Sequence, residues 1–180
     1  MKHHRTMLAS AVAIGAVISG AAPSAAASTA PAAVNCTGTS TVTYSPAITS
    51  EPRTVTSTSS QSWKTCAVIN GGGITKARDS VTRTSLTRSC ATLLNTTPKQ
   101  QQTVSWDNGQ TSTAAVTTTQ VESALVVTSI GKITSGPFVG ENYKRVSTYA
   151  NVDALTACSS PGGLAKLGPG VSDLAITPLV

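Results

Sequence analysis

The sequence predicts an all-β chain: a single antiparallel β-sandwich, immunoglobulin-like or of another Greek-key arrangement, stapled by two disulfides. Three observations predict it. Past residue 35 the chain is dominated by Thr, Ser and Val. Thr and Val are β-branched, stiff at χ1, and better suited to a pleated strand than to a helix. Turn signals recur at short spacing, at Ser45-Pro46, Glu51-Pro52, Gly71-Gly72-Gly73, Asp107-Asn108-Gly109, Ser135-Gly136-Pro137 and Ser160-Pro161-Gly162-Gly163. No segment sustains a 3.6-residue apolar period.

In chain order, Lys2 and Arg5 precede the apolar run Leu8–Ile18, and Ala25-Ala26-Ala27 fits a small-residue cleavage site. Residues 1–27 therefore read as a secretory signal peptide, with an apolar core too short to span a bilayer. Residues 28–35 are small and contain Pro31, and read as a flexible N-terminal tail. Residues 36–180 read as one β domain, with no internal repeat and no further apolar run of membrane-spanning length. Strands are expected near 37–44, 53–60, 81–88, 102–107, 110–120, 122–135, 143–149 and 171–177. In the first, Val42 and Tyr44 alternate with Thr41 and Thr43. The strand at 122–135 is the most apolar. Val121 to Thr128 reads as apolar on both faces, as a central strand would be, and Gly131 as a bulge between Ile130 and Ile133. A short helix is expected at Val152–Cys158, with Asp153 as its cap.

The segment Ser105 to Ser112, SWDNGQTS, admits two hairpin registers. A two-residue loop puts Trp106 opposite Thr111 and sends Ala114 and Val116 to the other face. A three-residue loop pairs Trp106 with Gln110, through a type I turn closed by Gly109 in the left-handed region. Only the second gathers Val104, Trp106, Ser112, Ala114 and Val116 on one face, and a slip of one residue loses that set. This register makes Trp106 a core residue, its indole N–H reaching a loop carbonyl, and Asp107-Asn108-Gly109 turn chemistry. The functional alternative is a tip where Trp106 stacks on a sugar and Asp107 or Asn108 bonds its hydroxyls.

Four cysteines, Cys36, Cys66, Cys90 and Cys158, in an exported chain read as two disulfides. Pairing 37–44 with 53–60 brings Cys36 toward the segment after Ser60, which favours Cys36–Cys66 and leaves Cys90–Cys158. If Cys66 and Cys90 instead flank one long loop, they pair with each other. Cleavage after Ala27 removes both histidines, His3 and His4. Ser-His-Asp and Cys-His catalysis and His-ligated metal sites are then excluded, and no metal or cofactor is expected. The formal charge of +6 falls by two with Lys2 and Arg5, and the remaining basic residues are scattered, with no run longer than Lys144-Arg145. That distribution is not a nucleic-acid footprint.

These features point to a secreted, non-catalytic binding or interaction protein. Its expected ligand is a cell-envelope or environmental polysaccharide, or another secreted protein, with Trp106, Asp107 and Asn108 as the candidate ligand-binding residues. An alternative is an inhibitor of an exported protease, presenting the loop 67–80 or the loop 89–101. A third is a hydrolase working with carboxylates alone, Asp107 and Glu141 being the pair to test. Six aromatics, Tyr44, Trp63, Trp106, Phe138, Tyr143 and Tyr149, are a poor supply for a glycosidase cleft.

Four patches together carry a resemblance: Cys36-Thr-Gly-Thr-Ser-Thr-Val-Thr-Tyr-Ser-Pro46, Ser105-Trp-Asp-Asn-Gly-Gln-Thr-Ser-Thr113, Ile133-Thr-Ser-Gly-Pro-Phe-Val-Gly-Glu141 and Leu155-Thr-Ala-Cys-Ser-Ser-Pro-Gly-Gly163. They resemble a group of small exported actinobacterial proteins with a signal peptide and a Thr-rich β domain. The resemblance implies export and a β fold, and carries over no functional residue.

Overall fold

A computed structural model of the chain describes residues 33–93, 97–121, 125–150 and 154–178. Among the described residues the elements run β1 (Ala33–Ile48), β2 (Arg53–Ile69), β3 (Ala77–Arg88), a 3-10 turn (Cys90–Thr92), β4 (Thr97–Trp106), β5 (Thr111–Val121), β6 (Val126–Ser135), β7 (Asn142–Thr148), α1 (Ala154–Ser159) and β8 (Leu164–Thr177). The expected signal peptide, tail residues 28–32, Glu122 and the Asp153 cap lie outside the described residues. Ala33–Asn35, expected in the tail, belong to β1. None of the described helices is long and apolar enough to cross a membrane.

Each strand pairs antiparallel with the next, and β1 also pairs with β8, so the sheet closes into an eight-stranded barrel. This corrects the expected sandwich. Periodicity and turn spacing are the same for a meander that closes and for two stacked sheets. The deciding contact is the pairing of the first strand with the last, Val34 opposite Ile176 and Thr39 opposite Val171, which no local pattern announces. The connections are hairpin-like steps round the ring rather than Greek-key crossings.

Every expected strand has its counterpart, most of them longer than expected. The apolar stretch Val121–Thr128 is not a continuous central strand. Val121 pairs with Val126, and Leu125 has φ +46, so the chain reverses there between β5 and β6. Gly131 is not a bulge either: it pairs in register with Val116 and Tyr143. A Cβ at that position would lie 1.9 Å from the Ala115 carbonyl oxygen, so glycine lets two strands approach. The register shift comes instead where Thr113 and Ala114 face Ser135 and Ile133, with Thr134 the extra residue.

Alternation along the strands sends one face inward. At the end holding Ala33 and Thr177, Val34, Trp63, Val104, Trp106, Ala114, Tyr143, Leu174 and Ile176 form one apolar cluster. At the other end Val42, Ile48, Val55, Leu93, Leu125, Tyr149, Leu164 and Leu167 form a second. Both disulfides take the favoured pairing. Cys36–Cys66 bridges directly opposed residues of β1 and β2, and Cys90–Cys158 ties the 3-10 turn to α1 over the second end. Two disulfides suit an oxidising compartment.

Candidate functional site: the barrel interior

Between the two apolar clusters the inward positions are polar. Ser40, Gln61, Asp79, Gln102, Thr118, Ser129, Arg145, Ser147 and Ser172 are all buried. Strand alternation puts them there. On β3, Ala77, Asp79, Val81 and Arg83 share the inner face, and on β7 Tyr143, Arg145 and Ser147 do. The result is a polar belt across the middle of the barrel, closed above and below by hydrocarbon.

The belt is wired by hydrogen bonds. Arg145 donates Nη1 to Asp79 Oδ2 at 3.2 Å and Nη2 to Ser129 Oγ at 3.0 Å. Ser129 Oγ and Thr118 Oγ1 lie 2.9 Å apart, and Gln100 Nε2 donates to Thr118 Oγ1 at 2.8 Å. Arg83 Nη2 donates to Gln100 Oε1. Elsewhere in the belt Tyr143 donates to Gln102 Oε1 at 2.9 Å, and Ser40 Oγ meets the Tyr149 hydroxyl at 2.7 Å. Some buried atoms have no partner among the described residues, including Gln102 Nε2, Arg145 Nε and Gln61 Oε1.

Burial sets the electrostatics. Asp79 is pushed up to about 6, because desolvation outweighs the attraction of Arg145 and Arg83. Arg83 is pushed below its ordinary value by desolvation, then by the like charges of Arg145 and Arg88. Burial also raises the Tyr44, Tyr143 and Tyr149 hydroxyls, which stay neutral donors at any ordinary pH.

A cavity of about 60 Å³ lies between the belt and the second apolar cluster. Gln102, Thr118 and Arg145 line it from the belt, Val42, Ile48, Leu93 and Leu167 from the capped end, and Arg83 and Arg88 from β3. The wall is weakest beside β3. Among the described residues that strand pairs with β4 only through Ala77, Arg78 and Asp79, opposite Trp106, Ser105 and Val104. Beyond Asp79 no β3–β4 pair is formed among the described residues, and the Arg83–Gln100 hydrogen bond joins the two strands there.

The sequence-derived site sits at the opposite end and is built differently. Trp106 N–H donates to the Gln110 carbonyl at 2.9 Å, Gly109 N–H to the Trp106 carbonyl at 3.1 Å, and Gly109 has φ +83. This is the three-residue register, with Val104, Trp106, Ser112, Ala114 and Val116 all buried. The indole N–H donates to Ser112 Oγ at 2.8 Å, and Ser112 in turn donates to the Pro137 carbonyl at 2.7 Å, so the expected loop carbonyl is reached through a hydroxyl. Trp106 packs edge-on against Phe138, ring centroids 5.4 Å apart, and is only 4 % exposed, which leaves no free face for a sugar. Asp107 accepts from the Thr75 amide and, at 2.6 Å, from its hydroxyl, which holds the carboxyl below the usual range. Asn108 is occupied with Gln110, its Nδ2 donating to Gln110 Oε1 at 2.8 Å. Residues 67–69, 77–80 and 97–101, expected within loops, are strand, and Cys90 is fixed to α1.

The sequence reading missed Asp79, Arg83 and Arg145 because it treated the charged residues as scattered and solvated, and it gave the neutral Gln102 no role. The signal was present: Ala77-x-Asp79-x-Val81 and Tyr143-x-Arg145-x-Ser147 place those charges in phase with apolar neighbours. No known family model, no curated protein and no solved structure matches this chain.

Proposed function

We propose that this chain is an exported, non-catalytic binding protein whose site is the interior of its barrel, where one small molecule is held between the polar belt and the capped end. The observation that carries this reading is a polar belt left incomplete from within. Gln102 and Arg145 line the cavity, and each carries a buried donor without a partner among the described residues. Buried polar atoms are ordinarily paired, and a half-satisfied network is costly in a low-dielectric interior. A guest with acceptor oxygens supplies the missing partners. Eight strands leave an interior wide enough for side chains plus one small ligand. The interior is therefore preferred to the Asp107 tip, whose polar groups are already used by Thr75 and Gln110.

The test is an NMR titration of the disulfide-intact protein with small polar organic compounds at millimolar concentration. Saturable shifts at the backbone amides of Gln102, Arg145 and Tyr149 are expected. Shifts confined to Asp107–Gln110, or seen only with polysaccharide, would move the site to the surface. Ligand-independent spectra throughout would mean that the belt is completed by water alone, and would remove the reading.

A further inference from the structure

We infer that the guest is a small organic carboxylate, admitted between β3 and β4, whose carboxylate replaces Gln100 as the partner of Arg83. This rests on the interior-site reading and goes further by naming the ligand class and the way in.

Charge decides the sign. Three guanidinium groups, Arg83, Arg88 and Arg145, line the cavity. Arg145 is paired with Asp79, and Arg88 donates to the Thr92 carbonyl. Arg83 is partnered by a neutral amide, and burial, then its positive neighbours Arg145 and Arg88, disfavour its charge against the opposing pull of Asp79. A partly desolvated guanidinium held by a neutral partner gains most from a carboxylate, which accepts two parallel N–H bonds from its fork. A neutral guest leaves that like-charge strain in place.

Size and wall chemistry decide the rest. A dry cavity of about 150 Å³ takes up benzene, and one water needs about 10–15 Å³. A cavity of about 60 Å³ therefore holds only a few heavy atoms. Opposite the arginines the wall is hydrocarbon from Val42, Ile48, Leu93 and Leu167, which suits a short aliphatic body and not a second charge. An inorganic dianion would lose its hydration against that wall without compensation.

The gap decides the route. Both ends of the barrel carry apolar clusters, whereas beyond Asp79 the described residues of β3 and β4 do not pair. Arg83 and Gln100 close it side chain to side chain. A carboxylate that captures Arg83 releases Gln100, so binding and opening are one exchange of hydrogen-bond acceptors.

The experiment is calorimetric titration of the disulfide-intact protein with acetate, against acetamide and inorganic phosphate at matched ionic strength. Acetate is expected to bind with one-to-one stoichiometry at least tenfold more tightly than either. Arg83→Gln is expected to weaken acetate at least tenfold, with Arg83→Lys in between and the unligated melting temperature of both within a few degrees of the parent. Equal binding of acetamide would overturn the carboxylate assignment while leaving an interior site standing. Preference for phosphate would overturn it in favour of a mineral anion. Absence of binding by all three, with no interior shifts in the NMR titration, would remove both readings. If Arg83→Gln does not fold, Gln100→Ala decides: freeing Arg83 should tighten acetate at least twofold, and an unchanged or weaker affinity would sink the proposed exchange.

Discussion

Asp79 on β3 and Arg145 on β7 stand on opposite walls, four strands apart in a ring of eight, and meet at 3.2 Å across the interior. Both side chains are almost wholly out of water. A buried pair of this kind is weak evidence for stability, since desolvation offsets most of the attraction, but removing one partner strands a charge. Arg145→Ala is expected to cost about 3–5 kcal/mol, and an apolar Asp79→Leu/Arg145→Met double replacement much less. Denaturant midpoints of the two variants read the difference.

Asp79 also sets a pH dependence. Its pKa in the folded protein, about 6, lies above the 3.8 of an ordinary aspartate in an unfolded chain. The folded state therefore holds the proton more tightly, and unfolding releases it between those values. Stability from this group is fully present below about pH 4 and is lost as pH rises through 6. The span from 3.8 to about 6 is worth on the order of 3 kcal/mol. Thermal melts should show a component that rises on acidification from pH 7 to pH 5, and Asp79→Asn should remove that component.

Asp107 carries the opposite sign. Thr75 holds it below its usual range, so its contribution is present at neutral pH and lost in acid. Asp107→Asn should lower the melting temperature at pH 7, and the difference from the parent should shrink as acid protonates the parent carboxyl. Acetate affinity should not change, because the turn lies at the other end of the barrel.

Trp106 separates packing from hydrogen bonding. Trp106→Ala removes a buried indole and is expected to cost about 3–5 kcal/mol. Ser112→Ala leaves the volume nearly intact but strands the indole N–H, at a cost of about 1–3 kcal/mol. Gly109→Ala asks an L-residue to hold φ +83 and should cost about 1–2 kcal/mol. Urea titrations of the three should rank in that order, with Trp106→Ala the largest.

The disulfides differ in the loops they close, with sequence separations of 30 and 68. The chain-entropy relation gives about 3.6 kcal/mol for the shorter and about 4.4 kcal/mol for the longer. Replacing Cys90 and Cys158 together by serine should therefore destabilise slightly more than replacing Cys36 and Cys66. Hydrogen exchange should then accelerate around Leu93 and Leu164, which lie under the cap, before it does around Trp63.

Much of this was legible in local sequence. The hairpin register at Trp106, the eight strands and the Cys36–Cys66 pairing follow from contacts between segments close in the chain or from a single alternation pattern, and Cys90–Cys158 follows only by elimination. Closure of the sheet was not legible, because Val34 opposite Ile176 is the longest-range pairing among the described residues and leaves no periodic trace. The interior charges were half legible. Asp79 and Arg145 sit in phase with buried neighbours, but reading them as internal requires knowing that an opposite wall exists to supply the partner.

Closure has a consequence for protein engineering. Because Val34 and Ile176 are laterally adjacent, a short linker can join the two terminal strands, and the ring then has no obligatory first strand. New ends can be opened at Gly72–Gly73, where an exposed loop tolerates a break, and every strand keeps both neighbours. Such circular permutants would move the ends from β1 and β8 to the two sides of the β2–β3 turn, a placement suited to inserting the barrel as a cassette within another chain.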